Sequence, residues 1–216
     1  MPSELRMKQF TGIQSINPVE DVWEWPDLRG RIILRHSDAH HALTDYDHTL
    51  RHLAEVRGNS TFRRYEVEAL AGSTNSLQRI GRSAEARQRL DDAFERLSQL
   101  KLYPAEKVTP RLATYKALCA RADFEAANGS ISRGIEIYQK LLDQIRATKI
   151  EPETSLDDAV DLSSIYRAIS GLRRRNREPD RAEALSALRL ELWRNWDRKL
   201  PGNAFVHRQL EAAALR

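Results

Sequence analysis

From residue 37 onward, apolar side chains return every three or four positions in block after block, and most blocks close on Gly or Pro. That spacing puts side chains on one face of a 3.6-residue turn. It therefore calls for amphipathic helices and leaves no room for strands, whose faces alternate every second residue. Ala, Leu, Arg and Glu fill these blocks, and each loses little side-chain freedom in a helix. With 9 Gly and 8 Pro in 216 residues, the breakers are few enough to act as punctuation.

The blocks predict eight helices. The first spans about Ser37–Val56, with Ala39, Leu43, Tyr46, Leu50 and Leu53 inward, and Gly58-Asn59 stops it. The second runs from Thr61 to Ile80, with Phe62, Tyr65, Ala69, Leu77 and Ile80 on one face, and the third from Ser83 to Lys101, with Ala86, Leu90, Ala93, Leu97 and Leu100. Gly81 separates them, and Pro104 closes the turn after the third. In the fourth, Thr109 is expected as N-cap and Pro110 at the first helical position, where a missing N–H costs nothing. Ser130 should cap a fifth helix carrying Ile131, Ile135, Tyr138, Leu142 and Ile145. The sixth carries Ala159, Leu162, Tyr166 and Ile169. The seventh opens at Pro179 and carries Ala182, Leu185, Leu188, Leu192 and Trp196, and a short eighth covers Ala204–Leu215. The fourth helix has two apolar stripes, Leu112/Tyr115/Cys119/Ala122 and Ala113/Ala117/Phe124/Ala127, as expected of a helix with neighbours on both sides in a stack. Residues 1–36, with three prolines and the pair Trp23 and Trp25, hold no sustained period. They read as a linker or irregular cap whose tryptophans cover the first helix, leaving 37–216 as the helical domain.

Composition narrows the class. Hydrophobic residues at 41% are too many for a disordered chain, and charged residues at 31% suit a soluble helical one. Net charge is +4, but 35 basic and 31 acidic residues are interspersed, which argues only weakly for nucleic acid. Cys119 is the one cysteine, so no intrachain disulfide can form, and its apolar setting reads as a small buried residue rather than a nucleophile. The start of the chain, Met1–Arg6, carries no apolar stretch of signal-peptide type, and the longest aliphatic run, Ile32-Ile33-Leu34, cannot span a bilayer. A cytoplasmic location without membrane insertion is the expectation.

Two segments repeat. Ile80-Gly81-Arg82-Ser83-Ala84-Glu85-Ala86 leads to Leu90, and Asn128-Gly129-Ser130-Ile131-Ser132-Arg133-Gly134 leads to Tyr138. Both place a turn glycine ahead of a helix and a small residue (Ala86, Gly134) early in it, where helix axes can approach closely. A third copy has Asn176 at the turn, Pro179 at the helix start and Ala182 as the small residue. This pattern resembles the tetratricopeptide repeat, in the segment Gly81-x-x-x-Glu85-Ala86-x-x-x-Leu90-x-x-Ala93 above all. The spacing is 48 residues against ~34 in the standard repeat, so the helices should be longer. The ending, Leu192-Trp193-Arg194-Asn195-Trp196-Asp197-Arg198-Lys199-Leu200-Pro201-Gly202-Asn203-Ala204-Phe205-Val206, is similar to tetratricopeptide-type tails of some bacterial serine/threonine kinases. No Gly-rich loop, His-Arg-Asp or Asp-Phe-Gly accompanies it. The resemblance implies an all-α fold of antiparallel helix pairs stacked in a right-handed solenoid. It further implies a non-catalytic signalling scaffold that takes a protein or peptide segment in a concave groove lined by the second, fourth and sixth helices. On those helices Arg64, Asn75, Gln78, Thr114, Arg121, Glu125, Asp161 and Ser164 are the expected partner-binding residues.

Two clusters offer rival functions. His41, Asp45, His48 and His52 share one stripe of the first helix, with His36, Asp38 and His40 just before. Imidazole–carboxylate pairs one turn apart can hold zinc, which would make the chain a metal- or ligand-responsive sensor. The stripe lies opposite the apolar face and should be solvated, so no metal or cofactor is expected. Arg173-Arg174-Arg175-Asn176-Arg177 could contact phosphate in a nucleic-acid-associated regulator. It has no adjoining aromatic platform and equally complements a helix C-terminus. Trp193 and Trp196 are expected to pack between the last two helices. No Ser/His/Asp order, Cys/His pair or P-loop appears, so no catalytic residue is expected.

Overall fold

The computed structural model describes residues 39–55 and 60–214, and all regular structure among them is helical. The elements are α1 (Ala39–Glu55), α2 (Ser60–Arg79), α3 (Ser83–Gln99), α4 (Ala113–Ala127), α5 (Ile131–Arg146), α6 (Leu156–Arg175), α7 (Pro179–Lys199) and α8 (Ala204–Ala214). The expected N-terminal cap with Trp23 and Trp25 lies outside the described residues. No helix among those described is long and apolar enough to cross a membrane.

Each helix packs on the next in sequence, and α2 also packs on α4. One apolar core runs through all eight, from Leu43 to Ala213. Both α2 and α4 are buried on more than one side: in α4 the stripe Ala113, Ala117 and Phe124 is buried with Ala126 in place of the exposed Ala127, while of the other stripe only Ala122 is buried and Tyr115 and Cys119 are half-buried.

The 48-residue interval recurs throughout the backbone. Helices α3, α5 and α7 start at Ser83, Ile131 and Pro179, and α2, α4 and α6 end at Arg79, Ala127 and Arg175. Each turn between them is closed by one bond from an N–H to the carbonyl five residues back: Arg82 to Leu77, Ser130 to Glu125 and Glu178 to Arg173, all 2.9 Å. This closure needs a left-handed residue just past the helix. Gly81 and Gly129 supply it at φ +79° and +97°, whereas the third turn uses Arg177 at φ +61°. The small residues at the next shared position, Ala86, Gly134 and Ala182, are all buried. At Gly134 the approach is closest, since an added Cβ would lie 2.8 Å from the Ala122 carbonyl oxygen and 2.9 Å from Ala126 Cβ.

The fourth helix departs from expectation. It begins at Ala113, not Pro110, and its N-cap Leu112 contributes no side-chain bond. Pro110 lies in a buried turn and Arg111 is left-handed at φ +65°. Tertiary contacts override the local Thr-Pro signal here. Gln144 of α5 donates from its side chain to the Ala105 carbonyl and accepts from Val108 N–H, while Arg111 is drawn to Asp157 (3.0 Å) and Asp161 (2.9 Å) near the start of α6. Ser130 sits at its expected N-cap position without a capping bond, whereas Ser155 caps α6 by accepting from Asp158 N–H at 3.2 Å. Helix α3 stops at Gln99, two residues early, because Lys101 turns left-handed at φ +57°.

Several inward assignments also change. Tyr65, Leu188 and Leu112 are half exposed, and Cys119 is only partly buried. In α2 the buried face is Val67, Leu70, Ala71, Thr74 and Leu77, rotated from the Phe62/Tyr65 line because α1, α3 and α4 all press on it. Trp193 is fully buried and meets Phe205 of α8 edge-on at 5.8 Å, as expected of packing between the last two helices, whereas Trp196 is buried with its indole N–H donating to the Pro152 carbonyl ahead of α6 at 2.8 Å.

Candidate functional site

The residues expected to line a groove fall into two groups. Arg64 is exposed, and Asn75 and Ser164 are half-buried. One register line along α2, α4 and α6 holds Glu68, Lys116 and Ser164 at one repeat position and Asn75 and Asp123 at another, which Gly171 fills in α6, whereas Arg64 aligns with Leu112 and Val160. Within that line Lys116 Nζ contacts Glu68 at 2.8 Å, tying α4 to α2, and Asp123 accepts from the buried Tyr138 hydroxyl at 2.8 Å. Burial, with the neighbouring Cys119 thiol and Asp123 carboxylate adding to it, raises the Tyr138 phenol well above its ordinary range, so it stays a neutral donor to Asp123.

The other five residues are buried or half-buried. Thr114 and Asp161 are buried, the first donating to the Leu102 carbonyl at 3.4 Å and the second paired with Arg111. Neither can read a partner as expected. Arg121 lays its guanidinium 4.9 Å over the Phe94 ring of α3, Gln78 reaches the Phe124 carbonyl of α4 at 3.5 Å, and Glu125 is half-buried. Only three-dimensional packing separates these positions from the outward ones, because a step of one residue turns a helix by about 100°.

The rival clusters are also placed. His41, Asp45, His48 and His52 are all exposed along α1. His52 lies 3.9 Å from Glu55, and no three His, Cys, Asp or Glu side chains among the described residues converge to hold a metal. Three arginines of the basic run are turned onto acceptors of the chain itself, Arg173 onto Glu178 at 2.6 Å, Arg174 onto Ser186 at 2.7 Å and Arg175 onto the Ala126 carbonyl at 3.2 Å, while Arg177 is exposed. Glu178 collects Asn176, Arg173 and Arg181 together. An open cleft beside it sets Glu136, Lys140 and Asp143 of α5 across from Arg173, Glu178 and Arg181, with the two signs balanced.

Sequence reading missed Arg189. This side chain is buried in α7, donating from Nε to Ser163 Oγ and from Nη1 to the Ala212 carbonyl, both at 3.1 Å. The signal was available, because the positions 48 and 96 residues earlier are Leu141 and Ala93, both sealed in the core. A charge at a core position of a repeat departs from the repeat's own packing. Comparison of the chain with protein-family models, with curated proteins and with solved structures gives no match.

Proposed function

We propose that the chain is a non-catalytic scaffold of tetratricopeptide type, a right-handed stack of antiparallel helix pairs whose α2, α4 and α6 faces hold a segment of a protein partner. The observation that carries this reading is the 48-residue recurrence of helix ends, turn closures and small buried contacts. Such a unit builds a long surface along α2, α4 and α6, polar in all three at the position of Glu68, Lys116 and Ser164. A surface of this kind suits an extended segment that gains affinity from several shallow contacts. The reading also draws on the lack of a Ser/His/Asp order, Cys/His pair or P-loop in the sequence, and it places the protein in the cytoplasm of a bacterial cell as part of a signalling assembly.

Arg64, Asn75 and Ser164 carry the proposed recognition, with Glu68, Lys116 and Asp123 beside them. Arg121 is a poor probe of the face, because reversing it would also remove its stacking on Phe94. Arg64 is exposed and makes no hydrogen bond or ion pair among the described residues, so Arg64→Glu is the cleaner variant. In a pull-down from source-cell lysate, the wild type should retain a partner that Arg64→Glu recovers several-fold less, with circular dichroism unchanged. Equal recovery by both proteins rejects this face. Recovery of metal or nucleic acid in place of a protein rejects the scaffold reading.

A further inference from the structure

The cleft between α5 and the α6–α7 turn carries charges that the preceding repeat junction does not. Lys140 lines it on the α5 side and Arg173 on the other. Forty-eight residues earlier both positions are acidic, Asp92 and Glu125. Both walls of one cleft have thus changed sign together.

Pairing inside each wall leaves part of this charge unmatched. Arg173 and Arg181 share the single carboxylate of Glu178, at 2.6 and 3.2 Å. Arg173 Nε is buried without an acceptor among the described residues, so the α6–α7 wall holds one cation and one donor in excess. On α5, Glu136 is taken by Arg133 at 2.7 Å. The side chains of Lys140 and Asp143 are exposed and form no hydrogen bond or ion pair among the described residues. The ion pairs of these charged groups stay within one wall or the other, and none among the described residues crosses the cleft.

We propose that this cleft binds a small amino acid as its zwitterion, with the carboxylate between Lys140 and Arg181 and the ammonium at Asp143. Its volume of about 490 Å³ lies within the range of small-molecule sites. Lys140 and Asp143 stand one helical turn apart on α5, with Cβ atoms ~5–6 Å from each other. A ligand that carries both signs a few bonds apart therefore meets both side chains at once. A dianion such as phosphate fits less well, because the carboxylates of Glu136, Asp143 and Glu178 line the same space. A simple amine fits less well, because it leaves the excess guanidinium charge unmet. Each exposed charge pair contributes little alone, so binding needs both ends of the ligand. The site uses α5 and the α6–α7 turn, and the inference is independent of the groove proposed above.

The experiment titrates glycine, 4-aminobutyrate and 6-aminohexanoate into the full chain at constant ionic strength and follows the backbone 1H–15N signals of α5 and of residues 176–181. The N-acetyl and methylamide forms of each, which lack one charge, and inorganic phosphate serve as parallel titrants. The expected result is saturable binding of at least one zwitterion that shifts Asp143 and Arg181 together and weakens about fivefold when either charge is blocked. Asp143→Asn and Arg181→Gln should each weaken the same ligand by a similar factor. Both side chains are exposed, so signals away from the cleft should keep their wild-type positions. No saturation with any of the three, equal binding of a blocked form, tighter binding of phosphate, or an unchanged affinity in either variant would each overturn the proposal.

Discussion

Two glycine-to-alanine exchanges, one at Gly134 and one at Gly171, should move stability in opposite directions. At Gly134 the new methyl would stand 2.8 Å from the Ala122 carbonyl oxygen, 2.9 Å from Ala126 Cβ and 3.3 Å from Leu172 Cδ1. The first two atoms belong to α4 and cannot swing aside as the end of a long side chain could, so α5 must shift bodily. Overpacking of this kind costs about 1–3 kcal/mol, and contact with rigid backbone puts it toward the upper end. The same exchange gains about 1 kcal/mol of helix propensity. The net is a loss of about 2 kcal/mol, a fall in Tm of about 4–8 °C for a chain of this size. At Gly171, inside α6, an added methyl meets nothing within 4 Å, so only the propensity gain remains and Tm should rise by about 2–4 °C. Calorimetry on the two variants and the wild type decides the matter. A Gly134→Ala protein as stable as the wild type would show that α4 and α5 do not approach as described, and a destabilised Gly171→Ala would show that the α6 face is covered.

Three further outcomes are expected. Ala86→Leu should lose ~1–3 kcal/mol by overpacking the fully buried contact at the start of α3, read as a lower denaturant midpoint with an unchanged slope. Glu178 is held below its ordinary value of 4.5, first by the bond from Asn176 and, against some burial, by Arg181 and Arg173. A depressed carboxyl stabilises the fold above its unfolded-state value and loses that contribution as pH falls through the folded one. The Tm difference between wild type and Glu178→Gln should therefore be constant above about pH 5 and shrink toward pH 3, and a difference that grows on acidification would contradict the assigned contacts. Chelation with EDTA should leave Tm unaltered, because the α1 histidines are exposed and do not converge; one zinc per chain by elemental analysis, lost in His48→Ala/His52→Ala, would reverse that expectation.

The starts of α3, α5 and α7 were legible because Gly81, Gly129 and Pro179 are local signals: a left-handed turn and a fixed φ restrict the chain wherever it is placed. The buried small residues Ala86, Gly134 and Ala182 could likewise be read from their shared spacing. The start of α4 could not. Thr109-Pro110 carries a strong local preference, yet the contacts that override it come from Gln144, Asp157 and Asp161, 34 to 52 residues away. Arg111 yields to them because two carboxylates outweigh the modest cost of one left-handed residue.

The same division separates core from surface. Periodicity alone determined that these residues form helices and which of them are apolar, since both follow from side-chain chemistry and the 3.6-residue turn. Tertiary structure decided which polar residues remain available. Thr114, Arg121 and Asp161 look as outward as Arg64 and Ser164 until α3, α5 and the 100–112 segment close over them. A helix with neighbours on several sides has no single solvent face, so the direction of each side chain is set by which helix arrives next to it, and that is a property of the packed chain rather than of any one segment.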